Sequence, residues 1–597
     1  MMGALLLALS LGTGLAMACP AVLASPVMGS NPDAPVNRDD PEQADGNKSV
    51  VSTAEGSAVV VTANPEASSA ALTMLREGGH AVDAVVAAQA VLAVVEPQSS
   101  GLAGGGFLLN WNAEQASLEV LDGRETAPGT SREDDLMTSD GKPVSWRDAT
   151  RRFAAIGIPG TVALLWEAHQ QDGRLPWSRV LEPAIQLARD GFQPSPRLRQ
   201  SIRLAQRLGV DHSPAFQALY LPGGQPPASG RIFRNPALAD TLTLLAKEGG
   251  PGFYRGTLAA RILDDMATLA SREPTVQGWT RADLASYSVV RRSPLCLSLQ
   301  VYRLCSVPPP SSGGLALLQT LALFTESGER SGPGHVGSWH RLGQAMQWAD
   351  ADRLYWVHDP IDGAVPSAAL LDPGYISTRS RDMEQSMGAT PQPGLPPGVA
   401  QYPFAIPSTG GEQGTTHVSV VDRQGNIASY TSSVETVFGS RHLVAGMVMN
   451  NQLTDFSFLP SIDGRPVANR RRPGRRPMSS MAPVIVFQDD QPMLAAGTPG
   501  GRTIPHYLAR VLVASLIWNL PPEQAVALPH LSMRRGSLVL ERDAPLPWPV
   551  SPSELSDPDQ TPRQQRFGSG IGLLQKINNR WVGAADPRRE GKALALP

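Results

Sequence analysis

This sequence lacks an excess of charge of either sign. Its 51 Lys and Arg stand against 54 Asp and Glu, a formal net charge of -3 over 597 residues, which gives no electrostatic basis for binding nucleic acid or a charged membrane surface. Cysteine is scarce. The three present, Cys19, Cys296 and Cys305, exclude a disulfide-stapled scaffold, and the ten His are scattered, so no spacing suits a metal site and no cofactor is implied. Beyond Ala4 to Ala18 there is no long apolar run, and that one is short for a membrane span. No Gly-x-Ser-x-Gly elbow marks a conventional serine hydrolase.

What is present begins with an export signal over residues 1–24, with small-residue cleavage sites at Ala16-Met17-Ala18 and Val22-Leu23-Ala24 but no Lys or Arg before the apolar run. A periplasmic or secreted location follows. Cys19 is an alternative lipid-attachment point. Residues 25–57 are rich in Ser, Asn, Asp, Pro and Gly and read as a disordered leader. Order is expected from Ala58-Val59-Val60-Val61, a buried strand. Asn64-Pro65-Glu66 opens a helix, and a second, Ala/Val-rich helix runs from about Ala81 to Val95. Gly101 to Phe107 carries a glycine cluster, but it precedes a strand, so close backbone packing is favoured over phosphate binding. Helical patterns dominate residues 159–270 and 314–357, the second entered through the Pro308 to Gly314 turn. Cys296 and Cys305 flank a hairpin-like stretch and either pair or remain buried thiols. Residues 389–414, dense in Pro, Gly, Gln and Ser, read as an exposed mobile connector.

The pattern then turns strongly β. Between Gly414 to Val421 and Ile427 to Ser433, Asp422 and Asn426 bracket Arg423-Gln424-Gly425, a three-residue hairpin loop with Gly at the left-handed position. Placing Asp422 opposite Asn426 sets Thr415 directly across from Ser433, with Cβ atoms about 4.5–5.5 Å apart; a bulge at Gly425 would shift this by one residue. Glu435 shares the face of Ser433. A Thr after a Gly-ending connector has a chemical use. Its hydroxyl can attack the Gly414 carbonyl, which no side chain obstructs, and hydrolysis of the ester frees a chain beginning at Thr415. The new α-amino group, of ordinary pKa about 7.7–8.0, can serve as base toward the hydroxyl. The plainer alternative is an ordinary Thr in a half-buried strand. Further on, Asn450 to Phe456 supplies amides and a carboxylate, Arg476 to Met481 two adjacent hydroxyls, and Gly497 to Arg502 a turn with unencumbered N–H groups.

Taken in order, these segments resemble the gamma-glutamyltransferase (gamma-glutamyltranspeptidase) family. The resemblance rests on Asp122-Gly123-Arg124-Glu125, Pro308 to Gly314, Thr415-Thr416-His417, Asn450 to Asp455, Pro477 to Met481, Pro499-Gly500-Gly501 and Gly583 to Arg588, and spans about Ala58 to Gly591. It implies an α+β fold, the four-layer αββα sandwich of N-terminal-nucleophile hydrolases. It implies a precursor that cuts itself between Gly414 and Thr415 into a large chain (58–414) and a small chain (415–597), which stay together as a heterodimer. The activity implied is transfer of a γ-glutamyl group from glutathione and related donors to water, amino acids or peptides. Carried over by position, Thr415 is the nucleophile and Ser433, where relatives usually have Thr, helps activate it. Arg124, Ser479 and Ser480 would hold the donor α-carboxylate; Glu435, Gln452 and Asp455 its α-amino group; the N–H groups of Gly500 and Gly501 the oxyanion. Glu435 departs from the Asn of many relatives. The stretch Arg470 to Arg476 lies where some relatives carry a lid, and reads either as a solvated basic loop or as a charged pocket rim.

Two rivals remain: a glutaryl or cephalosporin amide acylase of the same fold, against which the pair Glu435 and Asp455 argues, and a non-catalytic relative, which would need a broken nucleophile or oxyanion site. If Thr415 performs the cut, Thr415→Ala stays a single full-length chain on a denaturing gel; normal cleavage of that variant at the 414–415 bond would assign the cut to an outside protease.

Overall fold

The computed structural model describes residues 50–273, 276–385, 390–399, 403–405, 414–534, 537–555 and 563–597. The signal segment (1–24), most of the leader and part of the connector lie outside the described residues.

Strand alternation builds the architecture. In Ala58–Thr62, Ala58 and Val60 belong to one apolar core while Val59 and Val61 belong to another, as a period of two requires. The same split recurs at Leu108 against Phe107 and Leu109, and in a second sheet at Val484 and Val486 against Ile485 and Phe487. Each sheet is therefore apolar on both faces. The first has seven antiparallel strands in the order Lys592–Leu596, Ala58–Thr62, Gly414–Val421, Ile427–Glu435, Gly105–Asn112, Ser117–Gly123 and Val290–Arg292. The second has seven in the order Ser52–Gly56, Arg580–Ala585, Gly572–Ile577, Gln491–Gly497, Val484–Gln488, Tyr302–Ser306 and Leu295–Leu299. Inner faces meet in the core around Val61, Phe107, Trp111, Ile485 and Phe487, where Trp111 and Phe487 pack edge to face at 5.0 Å. Helices cover the outer faces: Pro65–Arg76 and Ala81–Val95 on the first sheet, Ser312–Glu326 and Ile504–Leu512 on the second. This is the αββα sandwich.

Local signals act as the sequence requires. Asn64 accepts the Glu66 N–H at 3.0 Å and starts the first helix. Ala81–Val95 is buried on every side, which is why its sequence shows no polar face. Gly104 and Gly106 are small because a Cβ at either would collide with the backbone carbonyls of Ser433 and Thr431 on the neighbouring strand, so the glycine cluster is a packing device. Cys296 and Cys305 are a directly opposed cross-strand pair and are disulfide-bonded.

Three expectations are corrected. The leader does not extend to residue 57, because Ser52–Gly56 forms an edge strand on Arg580–Ala585. Half-exposed edge strands alternate polar residues outward, so their composition mimics a leader. The described parts of the connector are anchored: Trp356 donates to the Gly394 carbonyl at 3.0 Å, and the Ala405 N–H to the Pro466 carbonyl at 2.9 Å. The stretch Arg470 to Arg476 is not a solvated basic loop. Arg471 is buried against Asp135 (3.1 Å) and the Ser131 hydroxyl (2.7 Å), Arg475 meets Asp362 at 2.6 Å, and Arg476 is buried beside Asp122 at 3.5 Å. Arg471 and Arg476 clamp residues 122–135 in place while Arg475 ties the segment to Asp362, and the charge density that looks solvated in sequence is matched by carboxylates distant along the chain.

Between the sheets, His417 fills the space that Gly497 leaves. A Cβ at Gly497 would come within 2.1 Å of the imidazole ring. Gly497→Ala should cost at least about 1–3 kcal/mol by overpacking, lowering the urea midpoint of unfolding, whereas Gly334→Ala, which faces open space, should stay within about 0.5 kcal/mol of the parent.

Candidate active site

Thr415 lies at the start of Gly414–Val421, third from one edge of its sheet and almost fully buried. Val418 and Val420 belong to the helix-facing core, so by alternation Thr415, His417 and Ser419 look toward the second sheet. Contacts agree: His417 faces Gly497, and the Ser419 hydroxyl donates to the Gly572 carbonyl at 3.2 Å.

The hairpin forms as its loop sequence dictates. Gly425 has φ +85°, Asp422 and Asn426 exchange a 3.0 Å backbone bond, and pairing runs without slip from Val421 with Ile427 to Thr416 with Ser432. The irregularity falls at the opposite end from Gly425. Gly414 pairs with Glu435, so two residues, Ser433 and Val434, oppose Thr415 alone. That bulge corrects the expected face-to-face placement of Thr415 and Ser433. Glu435 takes φ +80° as the chain bends away, and the local twist re-aims Ser433. Its hydroxyl donates to the Gly414 carbonyl oxygen and accepts the Glu435 N–H at 2.8 Å. The carbonyl that Thr415 would attack is thus already held by a hydroxyl donor, and a Cβ at Gly414 would come within 2.5 Å of the Glu435 carbonyl.

His417 is a tempting base two residues away, but its geometry excludes the role. Nδ1 meets the Thr431 hydroxyl at 2.9 Å and Nε2 the Ser419 hydroxyl at 2.8 Å, and burial holds its pKa down at about 3. It is a neutral packing residue.

The second part of the site is a charge cluster. Arg124 and Asp455 are an ion pair at 2.5 Å with side chains 0% and 4% exposed. The Arg124 guanidinium also donates to the carbonyls of Met478 (2.7 Å) and Pro477 (3.3 Å), so the clamped arginine loop sets its aim. Gln452 donates to the same Asp455 oxygen at 2.7 Å, from one turn of 3-10 helix, Gln452–Asp455, that brings both side chains together. Glu435 is buried, with Oε2 accepting from Asn451 at 2.7 Å.

Ser479 and Ser480 follow directly on Met478. Ser479 Oγ accepts the Met481 N–H at 3.1 Å and Ser480 Oγ accepts from Arg353 at 3.2 Å. In both of these bonds the hydroxyl oxygen is the acceptor. Gly500 and Gly501 adopt φ +140° and +56°, a turn leading into helix Ile504–Leu512. A Cβ at Gly500 would also strike the Tyr507 ring. Backbone N–H groups at such a helix entry suit a developing oxyanion.

Three residues escaped the sequence reading. Arg353 joins the carboxylate-side and oxyanion-side elements, bonding Ser480 and, at 2.8 Å, the Arg502 carbonyl. Its Nε is held by Asp350 at 2.7 Å; burial pushes that carboxyl up, but Arg353 and His506 outweigh it and hold its pKa down at about 2. No sequence signal distinguishes Arg353 within its helix. Asn451, within the Asn450 to Asp455 cluster, donates to the Glu435 carboxylate. Arg589, one residue beyond Gly583 to Arg588, donates to the Thr415 carbonyl at 2.9 Å.

Comparison with known proteins adds the following. Residues 67–596 match the gamma-glutamyltranspeptidase family. The chain is 32% identical to the glutathione hydrolase proenzyme of Bacillus subtilis (strain 168), over 90% of this chain and 91% of that one. It is 31% identical to the acylase ACY 1 proenzyme of Pseudomonas sp. (strain SE83), over 90% and 93%. In structure it resembles the cephalosporin acylase from Bacillus halodurans, with a TM-score of 0.79 over 96% of this chain and 100% of that one at 24% identity, a likeness of fold.

Proposed function

The chain belongs to the gamma-glutamyltranspeptidase family, and from that premise we propose that it is a self-processing γ-glutamyl hydrolase and transferase, with Thr415 cutting the precursor and then carrying the acyl group. The observation that carries this reading is the Ser433 hydroxyl on the Gly414 carbonyl beside Thr415. In maturation, Thr415 Oγ attacks that carbonyl as its own proton is released, the Ser433 hydroxyl stabilises the negative charge on the carbonyl oxygen by hydrogen bonding, and the C–N bond breaks as the Thr415 nitrogen takes up that proton. Water then cleaves the ester, leaving a Gly414 carboxylate and a free Thr415 amine. The large chain, which includes the Ser52–Gly56 strand and ends at Gly414, and the small chain (415–597) remain a heterodimer because each contributes strands to both sheets, so one cut bond releases no element.

In turnover, the Thr415 amine takes the hydroxyl proton as Oγ attacks the donor γ-carbonyl. Gly500 and Gly501 N–H groups receive the oxyanion, the amine passes its proton to the leaving nitrogen, and the threonyl ester is resolved by water or by the amino group of an amino acid or peptide. Donor recognition is an exchange of partners. Arg124 and Asp455 satisfy one another at 2.5 Å; a γ-glutamyl group brings one carboxylate and one ammonium on a single carbon. The carboxylate takes Arg124 with the Ser479 and Ser480 hydroxyls, and the ammonium takes Asp455 with Gln452 and Glu435. The zwitterion is itself neutral, so the exchange leaves the net charge of the buried cluster unchanged. Glutathione is the donor that this chemistry and the family point to. Maturation outside the cytoplasm, in the periplasm or after secretion, accords with the export signal over residues 1–24.

An amide acylase acting on glutaryl or cephalosporin substrates is the second reading, favoured by the 31% identity to an acylase proenzyme. A glutaryl group lacks the ammonium, so on taking Arg124 it would strand the Asp455 carboxylate. Stranding a buried charge costs more than the roughly 1–3 kcal/mol of a neutral polar group, so γ-glutamyl over glutaryl discrimination should exceed about a hundredfold in kcat/KM. Asp455→Asn should depress γ-glutamyl turnover while sparing or raising glutaryl turnover. Steady-state kinetics with both donors on both proteins decides: a parent enzyme preferring glutaryl establishes the acylase, and equal loss on both donors makes Asp455 a structural residue.

A further inference from the structure

The turn between Gln491–Gly497 and Ile504–Leu512 contains two successive peptide units that are each gripped by a threonine. In the Pro499–Gly500 unit the Pro499 carbonyl accepts from the Thr498 hydroxyl at 2.7 Å, and in the Gly500–Gly501 unit the Gly500 carbonyl accepts from the Thr503 hydroxyl at 2.6 Å. A trans peptide is planar, and its N–H points away from its own carbonyl. Holding the Pro499 carbonyl therefore aims the Gly500 N–H, and holding the Gly500 carbonyl aims the Gly501 N–H. Among the described residues neither of these two N–H groups has a hydrogen-bond partner.

We infer that Thr498 and Thr503 are positioning residues that aim the two N–H groups of the oxyanion site, each by gripping the carbonyl on the far side of the same peptide unit. The inference rests on the reading of Gly500 and Gly501 given above. Thr498 is fully buried, and its hydroxyl oxygen accepts the Gly570 N–H at 3.1 Å, so its single proton is committed to the Pro499 carbonyl. The result is a chain of bonds running from the Gly570 N–H through the Thr498 hydroxyl to the Pro499 carbonyl, and through that peptide to the Gly500 N–H. Each bond in such a chain polarises the next, so a peptide whose carbonyl is held in this way is a stronger donor at its nitrogen.

Thr503 stands at the N-cap of Ile504–Leu512, where a threonine side chain ordinarily accepts an N–H of the first helical turn. It makes no such cap bond and donates back to Gly500. Among the described residues no other side chain reaches the Pro499 or Gly500 carbonyl. Glycine peptides would otherwise swing easily. Here the neighbouring parts of the turn are braced as well: Arg353 holds the Arg502 carbonyl at 2.8 Å, and the Tyr507 ring packs against Gly500. The chemistry gives this rigidity a use. Negative charge on the donor carbonyl oxygen develops only as the tetrahedral intermediate forms, and donors already aimed at that position stabilise it without reorganising.

The test separates transition-state binding from ground-state binding in the mature enzyme. Thr503→Val keeps the side-chain shape and removes the hydroxyl, and the Gly500 carbonyl still accepts the residue 503 N–H at 3.2 Å, so no buried carbonyl is stranded. Its kcat for glutathione hydrolysis should fall at least about tenfold, less than the roughly 100–1000-fold of deleting an oxyanion donor, with KM within about twofold of the parent. An amino acid carrying a boronic acid in place of the γ-carboxyl of glutamate, whose tetrahedral adduct on Thr415 places a negative oxygen at the turn, should lose affinity by the same factor. Glutamate itself should bind as it does to the parent. Thr503→Ser, which keeps the hydroxyl, should restore kcat. Thr498→Val should behave as Thr503→Val does; should it not fold, Thr503→Val decides alone. Maturation, in which Ser433 holds the Gly414 carbonyl, should proceed in each variant. An unchanged kcat in Thr503→Val, equal loss of boronate and glutamate binding, or a chain left uncut overturns the inference. A parent enzyme that turns over a glutaryl donor and not glutathione overturns the γ-glutamyl reading alone, and the Thr503 comparison is then made with that donor.

Discussion

Everything at this site depends on one interruption in a hydrogen-bonded ladder. Gly414–Val421 and Ile427–Glu435 pair in regular register until Thr416, and then Ser433 and Val434 together oppose Thr415. A continued ladder would bury the Gly414–Thr415 peptide in ordinary pairing. The bulge instead brings the Ser433 hydroxyl to the Gly414 carbonyl. It also bends Glu435 into a left-handed conformation that delivers its carboxylate to Asn451. Rigidity comes from both sides: Gly104 and Gly106 let the next strand approach closely, and His417 keys into the second sheet at Gly497.

A second constraint is electrostatic. Buried charges are stable only when paired, and the site keeps Arg124 and Asp455 as a mutual pair held by Gln452 and by the carbonyls of Pro477 and Met478. A zwitterionic group can replace both halves of that pair, and a group with a single charge cannot. Specificity is thereby written into charge balance as well as shape. The arginines at 471, 475 and 476 have no place in the chemistry, yet they fix the Pro477 and Met478 carbonyls by tying their segment to Asp135, Asp362 and Asp122. Arg353 does the same for the hydroxyl and oxyanion elements by bonding Ser480 and Arg502.

Features encoded locally were legible in the sequence. The helix cap at Asn64, the hairpin loop at Gly425 and the all-apolar strand at Ala58 each follow from a few neighbouring residues, and the structure has all three. The residue types of the candidate site were legible as motifs. What was not legible depends on partners distant in the chain. The bulge lies opposite Thr415 because the two strands part there, and the hairpin loop says nothing of it. The arginines at 470–476 look solvated until their carboxylates, more than a hundred positions away, are found. Ser52–Gly56 has the composition of a leader because an edge strand with one wet face needs no more apolar residues than that. Arg353 and Arg589 are buried cations whose roles are set by the backbone carbonyls and hydroxyl they reach, and such acceptors leave no trace in a motif.

The central claim is that Thr415, freed at its amino end, carries the γ-glutamyl group. It is tested most directly by mixing the mature protein with glutathione, quenching in acid within the first turnover, and measuring the intact mass of the small chain, followed by fragment mapping. The account predicts a small chain beginning at Thr415 and heavier by one γ-glutamyl group, with the added mass on Thr415. An adduct on any other residue, or glutathione hydrolysis by a chain still intact across the 414–415 bond, would contradict it.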